Sequence, residues 1–323
     1  MRYVVGVDEA GYGPNLGPLV ITATVWQLHD EVTDDDLYAR LRGIVTDAPE
    51  RGETWRDGGR LVLADSKSLY HARGGLGELE PGVLVAAAQL DNRPRTWSDL
   101  CTRLDCANVL DGDAPPWHAE FDAPLPVANE PALLDAAEDR LRAGLARAEI
   151  RLASIHSRVV FPREFNRRVQ ATRSKGTALS ELTLDLLGEA VSRLDAPVIA
   201  ICDKHGGRGY YGPLLQRQFP DWLVRPRREG RMESEYHLGP SDAPAVVYFR
   251  AKAEQYLSVA LASMTSKYLR ELAMQAFNEF WMARVHDLRP TAGYPGDARR
   301  FKREIAGAQS RLGIADGVLW RTR

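Results

Sequence analysis

Residues 3–8, YVVGVD, are an apolar, β-branched run that ends in the acids Asp8 and Glu9. Gly11, Gly13, Pro14 and Gly17 follow as a dense group of turn formers, and residues 19–28, LVITATVWQL, return to the β pattern. The pattern predicts two strands joined by a glycine-rich connection. Residues 34–45 predict a helix, with Leu37, Leu41 and Val45 four apart. Residues 133–148 read as a helix and 151–161 as a strand, and 180–194 carry one apolar stripe, Leu182, Leu186, Ala190, Val191 and Leu194. Residues 197–202, PVIAIC, are a continuous apolar run closed by Asp203, the mark of a strand buried on both faces. A short strand follows at 246–249, the longest helical pattern at 252–284, and a last amphipathic helix at 297–313.

Residues 74–131 break this rhythm, with prolines, glycines, Trp97, Trp117 and no sustained period. They read as an insertion or small subdomain with limited regular structure: a lid, an added surface or decoration. The rest alternates strand and helix, which predicts an α/β layer architecture in a single domain over residues 1–323.

The chain has 323 residues, 44% hydrophobic and 27% charged, with a formal net charge of −2. That balance excludes a protein that coats nucleic acid through overall basicity, so such contacts would have to come from local patches. The cationic groups are residues 225–231, Arg299 to Arg303 on the last helix, and Lys204 to Arg208 directly after Asp203. Cys101, Cys106 and Cys202 have neither disulfide-framework nor zinc-site spacing. No leader peptide and no membrane span are expected, and the expected compartment is the cytoplasm.

Chemistry is expected at the acids. Asp8, Glu9 and Asp203 stand where strands run out into glycine loops, and ligands of open α/β sheets gather outside strand ends. Convergent carboxylates repel one another until a hard cation relieves them, and magnesium prefers such oxygen ligands. Two such ions can activate water and stabilise the leaving oxygen of an in-line displacement. An Asp-Glu pair before a glycine turn can equally be a solvated turn, and Glu271 in KYLRE an ordinary helix-face charge.

The blocks GVDEAGYGP (6–14) and GPLV (17–20) resemble the opening of the type 2 ribonucleases H, G-x-D-E-A-G-R-G-P followed by G-P-x-V. DSKSL (65–69) resembles that family's D-S-K-K-L. PREFN (162–166) and IAICD (199–203) look like the approach to its third acid. SVALASMTSKYLRE (258–271) is similar to its S-I-A-A-A-S-I-x-A-K-x-x-R-D helix, and Gly293-Tyr294 to its late G-Y. The matches keep the family's order and leave out only 74–131. The resemblance implies a ribonuclease H-like fold, a mixed central sheet flanked by helices. It implies Asp8, Glu9, Asp203 and Glu271 as catalytic, metal-binding acids, with Mg2+ or Mn2+ as cofactor. Gly11, Tyr12, Gly13, Lys67, Lys204, Arg208 and Tyr294 would contact substrate, and residues 285–323 would be a helical extension aiding its binding. The activity implied is endonucleolytic cleavage of RNA in an RNA–DNA hybrid, or at a ribonucleotide in duplex DNA.

Two residues depart from the pattern. Glu271 stands where the main bacterial branch has aspartate, and Tyr12 replaces the arginine of G-R-G, removing a planar phosphate fork. Two other readings therefore stay open: a catalytically silent nucleic-acid binder on the same fold, and a nuclease for structured DNA. His205 could assist proton transfer or be a solvated loop residue.

Overall fold

The structure, a computed structural model, describes residues 1–29, 34–50, 53–70, 75–110, 114–239 and 244–322. Its strands are β1 (Arg2–Ala10), β2 (Leu19–Leu28), the two-residue pair β3 (Val45–Thr46) and β4 (Leu61–Val62), β5 (Arg151–Val160), β6 (Val198–Asp203), β7 (Arg225–Arg228), β8 (Glu233–Leu238) and β9 (Ala245–Arg250). The helices are α1 (Asp34–Arg40), α2 (Ser66–Leu69), α3 (Glu80–Ala87), α4 (Trp97–Arg103), α5 (Pro131–Ala148), α6 (Pro162–Thr172), α7 (Lys175–Val191), α8 (Gly212–Gln218), α9 (Leu257–Met282), α10 (Pro295–Arg311) and α11 (Asp316–Leu319).

Among the described residues a seven-stranded sheet forms the centre, in the order β5-β2-β1-β6-β9-β8-β7. The β5-β2-β1 pairings are antiparallel, β1-β6-β9 parallel, and β9-β8-β7 antiparallel again. Antiparallel meander first, parallel strands added on its inner side: this is a mixed sheet with helices on both faces, the architecture that the sequence resemblance implies. Parallel strands need cover on both faces, and β1 and β6 accordingly carry apolar side chains on each.

One face packs on α6, α7 and α8 through residues such as Phe165, Leu182, Leu187 and Leu215. The other packs on α9, which crosses β1 at very close range. A Cβ on Gly6 would lie 2.2 Å from the backbone carbon of Ser258, so only glycine fits there. Thr24 Oγ1 donates to the Ser258 carbonyl at 2.7 Å, and Ser266 Oγ donates to Thr22 Oγ1 at 2.9 Å. These bonds fix the register of helix against sheet under the acids.

The described residues of the 74–131 segment carry more regular structure than its composition predicts, and they share the main core. Leu79, Val83, Leu84, Trp97 and Leu100 pack in one apolar cluster with Leu261, Met264, Tyr268 and Leu272 of α9. Every residue of α3 is buried, so it has no polar face to give an amphipathic period. The fully buried Glu80 carboxylate ties the segment down. It accepts from the backbone N–H of Val127 (2.6 Å) and Ala128 (2.9 Å), from Asn129 Nδ2 (3.0 Å) and from Tyr268 OH (2.7 Å). The 34–45 helix ends at Arg40 and the 252–284 pattern resolves into a 3-10 turn, Ala253–Gln255, and α9. The cationic residues 225–228 are β7, an exposed edge strand four places from β1.

Candidate functional site

The parallel register that pairs Val7 with Cys202 brings the next residues, Asp8 and Asp203, out side by side at the ends of β1 and β6. Glu9 follows, and all three line one cleft of about 510 Å³ with Gly11 to Pro14, Lys67, Tyr70, Ser263, Lys267, Glu271 and Tyr294. Asp203 Oδ1 accepts from the Ala253 N–H at 3.2 Å. The Ser263 hydroxyl, which pulls the Asp8 carboxyl downward, stands 3.0 Å from Ser66 Oγ.

The acids are close enough to feel one another. Burial, then the charges of Glu9 and Asp203, raise the Asp8 carboxyl well above its usual range. Burial and Asp203 push Glu9 up to about 8, against the pull of Lys67. Burial and then Glu254 push Asp203 up to about 6. Glu254 is a carboxylate that the sequence reading missed. It adds to the repulsion on all three acids, and its Oε1 accepts from Lys67 Nζ at 3.1 Å. Burial lowers the Lys67 ammonium, and Glu254 more than reverses this.

Glu271 lines the cleft but is engaged elsewhere. Its Oε1 accepts from Lys267 Nζ (2.7 Å) and Arg270 Nη1 (2.8 Å), and its Oε2 from Tyr70 OH (2.8 Å). Burial pushes this carboxyl up, but Arg270, Lys267 and Tyr70 hold it below the usual range. Among the described residues, no three acids, histidines or cysteines are drawn into one coordination shell. The donor chemistry of Asp8, Glu9, Asp203 and Glu254 nevertheless suits a hard divalent cation: each offers carboxylate oxygens, and their shared repulsion is what a cation would relieve.

The other predicted residues fall into two groups. Gly11 has φ of +90°, and a Cβ there would meet the Arg270 side chain at 2.5 Å. Tyr12 lies half-buried beside it, with Lys175 Nζ 4.5 Å from its ring centre. Tyr294 is 54% exposed, and its ring edge lies 3.7 Å from where a Gly13 Cβ would sit. These and Lys67 surround the acids. Lys204 and Arg208 do not line the cleft. Lys204 Nζ donates to the carbonyls of Arg208 (3.0 Å) and Gly230 (2.8 Å) and to Ser234 Oγ (3.1 Å), while Arg208 Nη2 donates to Thr177 Oγ1 at 2.8 Å. His205 is buried, its Nδ1 2.8 Å from Ser180 Oγ, and burial with Arg208 and Lys204 lowers it to about 3. It is a neutral core residue. On α10, Arg300 is taken by Asp297 and Glu304, and Lys302 by Asp316.

A second hollow, about 760 Å³, lies by Arg93, Arg103 and Glu138. Arg93 pairs there with Asp135 and Glu138, and Arg103 with Asp91 and Asp99.

No family model and no curated protein sequence matches the chain. Solved structures similar to it include the ribonuclease HII of a PCNA complex from Archaeoglobus fulgidus, at 16% identity, TM-score 0.43, covering 99% of this chain and 94% of that one. Ribonuclease H2 of Pyrococcus horikoshii OT3 is 16% identical, TM-score 0.45, covering 98% and 92%. Ribonuclease H3 of Aquifex aeolicus is 13% identical, TM-score 0.35, covering 98% and 71%.

Proposed function

We propose that this chain is a divalent-cation-dependent ribonuclease H-type endonuclease, cutting the RNA strand of RNA–DNA hybrids or at a ribonucleotide in duplex DNA. The observation that carries the reading is the meeting of Asp8, Glu9 and Asp203 in one cleft beside a glycine loop. Asp8, Glu9 and Asp203, with Glu254 next to them, would hold Mg2+ or Mn2+. Once bound, the cation supplies neutralisation of phosphate charge and acidification of water.

The chain's own groups have separable tasks. The Gly11–Gly13 backbone lets a phosphodiester or a ribose approach without side-chain hindrance. Lys67, anchored by Glu254, presents an ammonium to a phosphate at the cleft mouth. Tyr294 offers its exposed ring to a sugar, and telling RNA from DNA needs some group that reads the 2′-hydroxyl. Glu271 holds Lys267 and Arg270 in place and is a reserve ligand within the same cleft.

The test is cleavage of labelled RNA–DNA hybrid, and of duplex DNA with one ribonucleotide, by wild type and Asp8→Asn in Mg2+ or Mn2+. Wild type should cut and Asp8→Asn should lose on the order of a thousandfold, as when a charge-stabilising group is removed. Tight hybrid binding without turnover would select the silent binder instead, and cutting confined to structured DNA would change the substrate.

A further inference from the structure

The chain's last described residues run back beneath the glycine loop. Trp320 forms an antiparallel bridge with Leu16, and the Arg321 N–H donates to the Asn15 carbonyl at 2.8 Å. Asn15 Nδ2 donates to the Arg321 carbonyl at 3.2 Å. From α6, Asn166 Nδ2 donates to the Trp320 carbonyl at 2.8 Å, and its Oδ1 accepts from Thr322 N–H (2.8 Å) and Oγ1 (3.1 Å). Strand-like bonds on one side and a side-chain clamp on the other hold this strap in register.

The strap delivers one cation to a specific place. Arg321 is 1% exposed, and its Nη2 donates to the carbonyls of Gly11 (2.5 Å) and Pro14 (2.6 Å). Its guanidinium lies 5.4 Å from the Phe165 ring centre, and Nε and Nη1 find no acceptor among the described residues. On another side of Gly11 stands Arg270, also 1% exposed, with Nη1 on Glu271 and Nη2 on the Ala292 carbonyl. Burial, then the charge of Arg270, lowers Arg321 to about 9. A guanidinium buried with no carboxylate partner among the described residues is costly, and the groups it touches are the Gly11 and Pro14 carbonyls.

A trans peptide sets its C=O and N–H antiparallel. With the Gly11 carbonyl drawn onto Arg321, the Tyr12 N–H points away from Arg321, on a loop whose residues line the cleft. Donation to the carbonyl also polarises that peptide and strengthens its N–H as a donor.

We infer that Arg321 is a positioning residue for an anionic substrate: the C-terminal strap carries a buried cation that fixes and polarises the Gly11–Tyr12 peptide for a phosphodiester. This rests on the nuclease reading, because the anion is the scissile strand's phosphate. The role is in binding, not in the chemical step.

The experiment uses the full chain with Arg321→Ala, Arg321→Gln and Arg321→Lys. It measures KM and kcat on an RNA–DNA hybrid, hybrid affinity by anisotropy, and melting with and without Mn2+. Arg321→Gln and Arg321→Ala should raise KM and the dissociation constant about tenfold with kcat within about threefold, the signature of lost binding shared by ground and transition states. Arg321→Lys, which keeps the charge and can reach carbonyls, should recover most of that loss, and the Mn2+-induced melting shift should stay intact in all three. Should Arg321→Ala fail to fold, Arg321→Gln, which keeps a polar side chain but is neutral and ends two bonds short of Nη2, carries the test. Unchanged KM in a folded Gln variant, a loss confined to kcat, or Arg321→Lys no better than Arg321→Gln would each overturn the inference. Wild type that neither binds nor cuts hybrid would instead sink the nuclease reading.

Discussion

Glu9→Gln should make the chelator-treated protein more stable at alkaline pH, although it removes a proposed ligand. The Glu9 carboxyl is raised from 4.5 to about 8 in the fold by burial and by Asp203. The native state therefore binds more protons than the unfolded state between those values. The stability that the Glu9 carboxyl contributes is fully present below about pH 4.5 and falls as pH rises toward 8. At about 1.36 kcal/mol per pH unit, a shift of this size corresponds to at most ~5 kcal/mol. Because the repulsion is shared among Asp8, Glu9 and Asp203, about 3 kcal/mol is assigned to this one group. With an unfolding entropy of roughly 2.1 cal/mol/K per residue, that is about 4 °C in Tm for a chain of this length. Thermal melts in EDTA at pH 4.5 and 8.5 measure it. The two proteins should coincide at the acid end and separate by a few degrees at the alkaline end, Gln above wild type. Parallel curves, or a Gln variant that melts lower at pH 8.5, would refute the electrostatic account of the cleft.

Three further outcomes follow from the packing. Gly6→Ala should cost about 1–3 kcal/mol or more and lower activity with it, since its Cβ would press on the Ser258 backbone and move α9 off β1; denaturant melts and the hybrid assay read both. Glu80→Ala should cost about 3 kcal/mol, because the buried Tyr268 hydroxyl and the donors of residues 127–129 lose their acceptor; an unchanged melt would show that residues 74–131 dock by other means. His118, buried with neither ring nitrogen partnered among the described residues, is lowered by burial to about 4. It contributes stability that is complete above about pH 6.5 and lost as pH falls toward 4, so His118→Phe should flatten the acid limb of the wild-type melt by up to ~3 kcal/mol.

Much of the site could be read from the chain because its chemistry sits where patterns change. β1 and β6 are apolar runs that stop at acids, and the register that unites Asp8 with Asp203 follows once the two strands are neighbours. The neighbouring itself has no local signal, since it depends on a parallel crossover. Glu254 was hidden because its 3-10 turn abuts α9 and joined the helical pattern. The sequence also could not show that Lys267 and Arg270 occupy Glu271, because all three sit at ordinary helix-face spacing. α3 escaped for the opposite reason: buried all round, it has no period. β7, RPRR, is exposed at every position and alternates with nothing, so it read as a charge run. Arg321 carried no signal in the sequence, and only the return of the chain beneath Gly11 shows what it touches.

The account stands on the acids of β1 and β6 sharing a cation. A crystal of the wild-type protein soaked in Mn2+ and measured for anomalous scattering tests this directly. Manganese should appear between the carboxylates of Asp8, Glu9 and Asp203, and should vanish from that position in Asp8→Asn. Manganese bound only elsewhere, or unmoved by the substitution, would contradict it.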